Sequence, residues 1–256
     1  HFAAAVALLI GSWLSGVFII ITNAFMQHPV AYARDAQGLF SLTSVVDYLL
    51  NPWAWIQYGH NQLAAVVTAS FVVSAVGAFW LLRGTHVEQA RLNVKVGVTA
   101  GLIASMLVAF PTGDAQAKLV AKYQPATLAA MEGHFESGRR AALHLIGQPN
   151  VAERKLDNPI ALPAVLSFIA YGTPGANVVG LNDIPLDEWP TNVELLYYAF
   201  HVMVGLGTLF IGLMSLAALF WWRGWLEQQR WLLWALMLAA PFPYIANTAG
   251  WMTAEL

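Results

Sequence analysis

Five stretches of this chain approach or exceed the roughly 20 mostly apolar residues that an α-helix needs to cross a bilayer. They are residues 1–25, 61–82, 96–110, 195–222 and 231–246. Backbone in hydrocarbon has no water to pair with, so such stretches must satisfy their own N–H and C=O groups, and at this length they do so as helices. The sequence therefore predicts an all-α fold, a polytopic transmembrane helical bundle of about five spanning helices with a long structured outer loop. Composition agrees, since 10% of residues are charged against the ~25% of a soluble domain. Twelve Lys and Arg against fourteen Asp and Glu give no excess of positive charge for nucleic acid. Cysteine is absent, which excludes disulfides, thiolate metal sites and Cys nucleophiles and leaves His, Met and carboxylate as ligands. The chain opens on His1 without an initiator Met, a basic n-region or a cleavage site, and reads as an internal fragment rather than a signal peptide.

Charge in the short loops sets the orientation. Arg83, Arg91 and Lys95 follow the second stretch, and Arg223 and Arg230 flank the connection after the fourth, whereas residues 27–59 carry only Arg34. The positive-inside rule places the first two loops in the cytoplasm. Residues 111–194 then lie outside, a connection of about 80 residues and far beyond ordinary loop lengths, which marks it as functional. The division expected is residues 1–110 with three spans, 111–194 as the outer loop, and 195–256 with two spans. The Pro111-Thr112-Gly113 run is expected to end the third span sharply, and Pro241-Phe242-Pro243 to interrupt the fifth. In the loop, residues 127–137 and 139–146 read as short helices, while 160–171 is apolar but too short to span. No internal repeat is visible.

Few polar residues stand near span ends. His60 lies at the outer mouth of the second span, either as a functional group or as a helix-end His bonded to water or a carbonyl. Met203 lies near the outer end of the fourth, where a Met is ordinarily packing. By this topology both have the same membrane depth, and His with Met is a known axial pair for a low-spin haem. Gly205 and Gly207 would admit a flat macrocycle. Glu255 follows a charge-free run, with Trp251 one turn earlier; it is an interfacial Glu, a metal ligand or a proton carrier. Glu132 and Glu136 are four apart and predict one helical face, either solvated or supplying a general base to a substrate that releases protons on oxidation. His28, His86 and His144 read as capping or surface-lining residues. His201 is two residues from Met203.

The run Gly11-Ser12-Trp13-Leu14-Ser15-Gly16, then residues 22–30 as Thr-Asn-Ala-Phe-Met-Gln-His-Pro-Val, resembles the fourth span and adjoining loop of subunit I of the cytochrome bd quinol oxidases. The likeness continues through Leu50-Asn51-Pro52, His60, Leu128-Ala129-Ala130-Met131-Glu132, Gly180-Leu181, Ala199-Phe200-His201-Val202-Met203-Val204-Gly205, and Gly250-Trp251 with Ala254-Glu255. Order and spacing hold over nearly the whole chain, as spans four to eight of such a subunit.

The resemblance implies that His60 and Met203 are the axial ligands of a low-spin haem b. It implies that Glu255 ligates a high-spin haem b beside an oxygen-reducing haem d, with Trp251 near those haems. Residues 111–194 would be the quinol-binding loop of the short type, with Glu132 matching the acidic residue of quinol oxidation; Glu136, from its spacing, is taken as a second candidate for proton acceptance. Implied partners are a second membrane subunit (subunit II), small accessory subunits, quinol, O2 and lipid, in a bacterial or archaeal cytoplasmic membrane. Two positions depart from the family pattern. Thr127 stands where a Lys is common, and His201 where an Arg is common that would pair with a haem propionate more permanently than a His. The alternatives are a di-haem b-type quinol dehydrogenase subunit, normally with two His per haem, and a cofactor-free transporter or channel subunit, in which paired broken helices would be expected.

Overall fold

The computed structural model describes residues 1–256. Five helical segments are long and apolar enough to cross a membrane, and each overlaps one of the five predicted stretches, the second, third and fifth being longer than expected. The chain is an all-α polytopic membrane protein whose strands form only two-stranded sheets in the connections. Two compact units divide it, His1–Gln62 and Leu63–Leu256.

The first unit holds α1 (Phe2–Gln27), the hairpin β1 (Tyr32–Arg34) and β2 (Phe40–Leu42), α2 (Val45–Leu49) and the first turns of α3 (Pro52–Arg83). Leu8, Leu9, Trp13, Leu14 and Phe18 on α1 are exposed, as suits side chains that meet lipid tails. Asp35 shapes the hairpin turn: its Oδ1 accepts the N–H groups of Gln37 and Leu39 at 2.9 and 2.8 Å. Helix α3 starts earlier than the predicted span. Asn51 Oδ1 accepts the Trp53 N–H at 3.0 Å, and Pro52 fits the first helical position because it has no N–H to leave unpaired. His60 is therefore about two turns inside a helix rather than at its mouth.

The second unit begins with the remainder of α3. After α4 (Val87–Leu107) the chain does not stop at Pro111 as expected. It widens into a π-helical turn, Val108–Gly113, and continues as α5 (Asp114–Tyr123). Proline removes the N–H that would bond the carbonyl four residues back. The Thr112 hydroxyl takes over this role, lying 3.2 Å from the carbonyls of Leu107 and Val108.

The outer connection continues with α6 (Pro125–Met131), β3 (Gly138–Arg139), β4 (Leu143–Asn150), β5 (Lys155–Leu162), α7 (Val165–Tyr171) and β6 (Asn177–Val178). The helix expected over residues 139–146 is instead mostly strand: β4 pairs antiparallel with β5, with register slips around Ile146. Gly147 and Pro149 disfavour a helix there, and Gly147 lets the Leu156 side chain cross close to the backbone. The apolar run over 160–171 splits into the end of β5 and α7.

The last spans are α8 (Val193–Trp222), α9 (Arg230–Leu238) and α10 (Phe242–Glu255), with Pro241 and Pro243 at the break between α9 and α10. Small residues bring helices together. A Cβ on Gly97 would lie 2.3 Å from Ser74 Oγ and 2.7 Å from the Ser70 carbonyl, so α3 and α4 touch backbone to backbone. Phe71 and Phe210 pack with ring centroids 4.7 Å apart, among buried Val94, Val98, Met214 and Leu236. The Arg91 guanidinium holds both Glu227 carboxylate oxygens, at 2.7 and 2.9 Å. The two loops read as cytoplasmic from their charge are thus on one side of this unit.

Candidate functional site

In the first unit the motif residues around His28 and Asn51 form a polar lattice under His60. Gln57 Nε2 donates to Asn23 Oδ1 at 2.9 Å, Trp53 Nε1 donates to Gln27 Oε1 at 3.1 Å, and Gln27 Nε2 donates to Asn23 Oδ1 at 3.0 Å. Asn51 Nδ2 donates to the His28 carbonyl at 3.2 Å, and the His28 and Trp53 rings stack. Asn23, Asn51, Trp53 and Gln57 are all buried. Gln57 is one helical turn before His60, so the lattice sets the rotation of α3 at that residue.

In the second unit Met203 is half-buried on α8. A Cβ on Gly250 would stand 2.9 Å from its Sδ, so the thioether lies against the α10 backbone. Trp251 and Glu255 follow on the same helix four residues apart and share a face. Trp251 is half-buried and Glu255 exposed. A Cβ at Gly205 or Gly207 would meet nothing within 4 Å, which leaves open space along the next turn of α8. His60 belongs to the other unit.

The outer connection builds a site that linear reading only partly anticipated. Helix α6 ends in a Schellman closure: the His134 N–H donates to the Ala129 carbonyl at 2.7 Å and the Gly133 N–H to that of Ala130 at 3.2 Å. Gly133 has φ +61°, and a Cβ there would lie 2.9 Å from Tyr197 Cε2 and 3.0 Å from Leu156 Cδ1. Both backbone and packing therefore require glycine. The helix stops one residue before Glu132, so Glu132 and Glu136 do not share a helical face as expected. Glu132 is buried, 4% exposed. Glu136 is exposed and accepts from Asn182 Nδ2 at 2.8 Å.

The Gly180-Leu181 motif has a structural reason. The N–H groups of Leu181 and Asn182 donate to the carbonyls of His134 and Phe135 at 3.0 and 2.9 Å. A Cβ on Gly180 would fall 2.4 Å from the Phe135 carbonyl oxygen, so only glycine permits this approach. His144 on β4 does more than line a surface. Its Nδ1 lies 2.7 Å from the Glu132 carbonyl, and its ring is 6.1 Å from that of His134. Behind them Tyr197 stacks on His201 at 3.9 Å. The His201 ring nitrogens contact the carbonyls of Tyr197 and His144, each at 2.9 Å. His201 thus ties the outer sheet to α8, two residues before Met203.

Several buried polar atoms here lack a partner: Glu132 Oε2, His134 Nε2, Asn182 Oδ1 and the Tyr197 hydroxyl. Burial pushes the Glu132 carboxyl up from 4.5 to about 8. Burial, with neighbouring His144 acting in the same sense, pulls His134 down from 6.5 to about 4. A carboxyl poised near neutrality beside an uncharged imidazole suits proton acceptance from a hydroxyl. His134, His144 and Tyr197 were not singled out from the sequence as a site. The Gly133 helix stop was the available signal, since it predicts a turn that folds residues 132–134 inward.

The family model described as "Cytochrome bd terminal oxidase subunit I" matches residues 1–256. The chain belongs to this family. It is 30% identical over 258 residues to the cytochrome bd ubiquinol oxidase subunit 1 of Bacillus subtilis (strain 168), covering 96% of this chain and 54% of that protein. It is 34% identical over 253 residues to a putative cytochrome bd menaquinol oxidase subunit I of the same organism, covering 96% and 56%. Among solved structures it resembles the bd oxidase from Geobacillus thermodenitrificans, with TM-score 0.84, 32% identity, and coverage of 96% of this chain and 56% of that one. The chain therefore spans about half the length of the relatives it matches.

Proposed function

We propose that this chain is the quinol-oxidising and haem-binding part of subunit I of a cytochrome bd complex, a terminal respiratory oxidase. The observation that carries this reading is the Glu132 carboxyl. It is buried, lacks a partner at Oε2, and is packed through Gly133 against α8, the helix that bears Met203. Relatives named for ubiquinol and for menaquinol are similar to this chain alike.

The donor set suits haem. The imidazole of His60 and the thioether of Met203 would hold the iron of a low-spin haem b, and Gly205 and Gly207, where a Cβ would meet nothing within 4 Å, would let a flat group approach the α8 backbone. Glu255 would hold a high-spin haem b, with Trp251 packing near it, and haem d would supply the oxygen chemistry. Haem held by these residues would supply the electron path from quinol to O2, which is reduced to water. The chain's residues manage the protons. Glu132 receives them from the quinol hydroxyls on the outer side, and the exposed Glu136 lies on the way to solvent. His201 keeps the loop seated on α8, and because both of its ring nitrogens already contact carbonyls, it would pair with a haem propionate only by giving up one of them. Proton release outside, with uptake inside for water formation, generates a proton-motive force without a pump. The outer loop over 111–194 is then the quinol domain, between haem-ligand regions over 1–110 and 195–256. Subunit II, small accessory subunits and the lipid of a bacterial or archaeal cytoplasmic membrane complete the assembly.

Met203→Leu in the intact complex tests the ligand assignment. Loss of the low-spin haem absorbance together with quinol-driven O2 uptake is expected. Unchanged absorbance and uptake would refute it and favour a cofactor-free transport role. His60→Ala is expected to behave in the same way.

A further inference from the structure

Protons that reach a carboxyl with 4% exposure need a route out; the Glu132 carbonyl is met by His144 of β4, and the adjoining Gly133 packs on Tyr197 of α8 and Leu156 of β5. The groups around the next turn grade outward. Glu132 is buried, His134 half-buried and Glu136 exposed. His134 Nε2 is shielded from solvent and bonds to nothing in the protein, although buried imidazole nitrogens are ordinarily paired. The His144 ring lies next to it, with ring centroids 6.1 Å apart. His144 is itself oriented by its Nδ1 contact with the Glu132 carbonyl. The titratable groups around His134 are Glu132 and Glu136 on its own segment, His144 on β4, and Tyr197 on α8 behind Gly133.

We propose that His134 is a proton-relay residue that carries protons from Glu132 toward His144, Glu136 and the outer solvent. This rests on Glu132 being the quinol-side proton acceptor. Neither Glu132 Oε2 nor His134 Nε2 bonds to the other or to any protein group, so a water carries each proton between them: the Glu132 O–H bond breaks, and an N–H bond forms at His134 Nε2 as the water gives up a proton. The imidazolium then returns its proton to water or to the His144 ring, and Glu132 is left ionised for the next quinol hydroxyl. His134 is uncharged at rest, because burial and His144 lower it to about 4, while Glu132 stands at about 8; the imidazolium is therefore formed uphill and is a transient carrier, not a resting proton store.

The test uses the intact oxidase complex carrying His134→Gln or His134→Asn, with Glu132→Gln alongside. Both His134 variants are expected to keep the low-spin haem absorbance and a quinol KM within about twofold. Their kcat should fall at least about tenfold, and millimolar imidazole in the buffer should recover part of the rate. A group that only packs would lower activity without responding to imidazole. Retention of kcat within about twofold in a haem-replete His134 variant, or a loss that imidazole does not relieve, overturns the relay. If Glu132→Gln is impaired in that case, the quinol reading survives alone. If Glu132→Gln keeps full turnover, both fall together.

Discussion

The two polar clusters of this chain differ in residue type, amides and an indole in one and mainly ionisable groups in the other, and are satisfied to different degrees. Beneath His60, Asn23, Gln27, Trp53 and Gln57 bond mainly to one another, leaving Gln57 Oε1 as the one unpaired atom among them. Around Glu132, each of Glu132, His134, Tyr197 and Asn182 keeps a buried atom without a partner. A paired amide lattice fixes one geometry and resists change. Unpaired buried groups cost stability and persist where they meet a substrate or a proton. On the proposed function, the first cluster would hold a ligand residue in place and the second would handle the protons.

The largest effect that separates them is expected at Glu132. Glu132→Gln keeps the shape and removes the base, and should lower kcat for quinol oxidation about 10²- to 10⁴-fold while the low-spin haem spectrum stays intact. The sign of the pH response follows from burial. The ionised, proton-accepting form of Glu132 grows as pH climbs toward about 8, so wild-type turnover should rise over that range and then level, a rise that Glu132→Gln lacks. Stability runs the other way. A proton held more tightly in the folded state favours folding below the ordinary 4.5, and that contribution is lost as pH rises through about 8. Melting curves across this window should therefore decline less for Glu132→Gln than for wild type. A flat wild-type turnover profile would remove the contrast between the two clusters.

Gly133→Ala comes next. The positive φ and the contacts with Tyr197 and Leu156 make it destabilising by about 1–3 kcal/mol, and it should raise the quinol KM by displacing Glu132. Denaturation in detergent and steady-state kinetics read both effects. The smallest change is expected in the satisfied lattice. Asn23→Ala should cost about 1 kcal/mol and leave the quinol KM unchanged, as a structural network would. A marked shift in quinol KM would mean that this lattice also meets substrate.

Much of this was legible in the linear chain because lipid imposes a simple rule. A backbone that must pair with itself over about 20 apolar residues has one answer, so the five spans came from residue type alone. The ligand candidates were also legible, since His60, Met203 and Glu255 are rare polar or sulfur-bearing groups at defined places in apolar helices. The loop was harder. Glu132 and Glu136 looked like one helical face because spacing was read without the Gly133 stop, and residues 139–146 looked helical although their partner strand lies at 155–162. Pro111 looked like an end because its missing N–H was counted without the Thr112 hydroxyl that replaces it.

By itself the sequence determined the membrane class, the family, the orientation signal and the identity of the candidate ligands, because these depend on hydropathy, charge and motif order. Only the tertiary structure decided that Glu132 is buried, that His134, His144, Tyr197 and His201 surround it, and that Gly133 and Gly180 make this possible. Those facts depend on close approach between segments distant in sequence, where a single Cβ or an unpaired nitrogen decides the outcome, and residue order does not encode such distances directly.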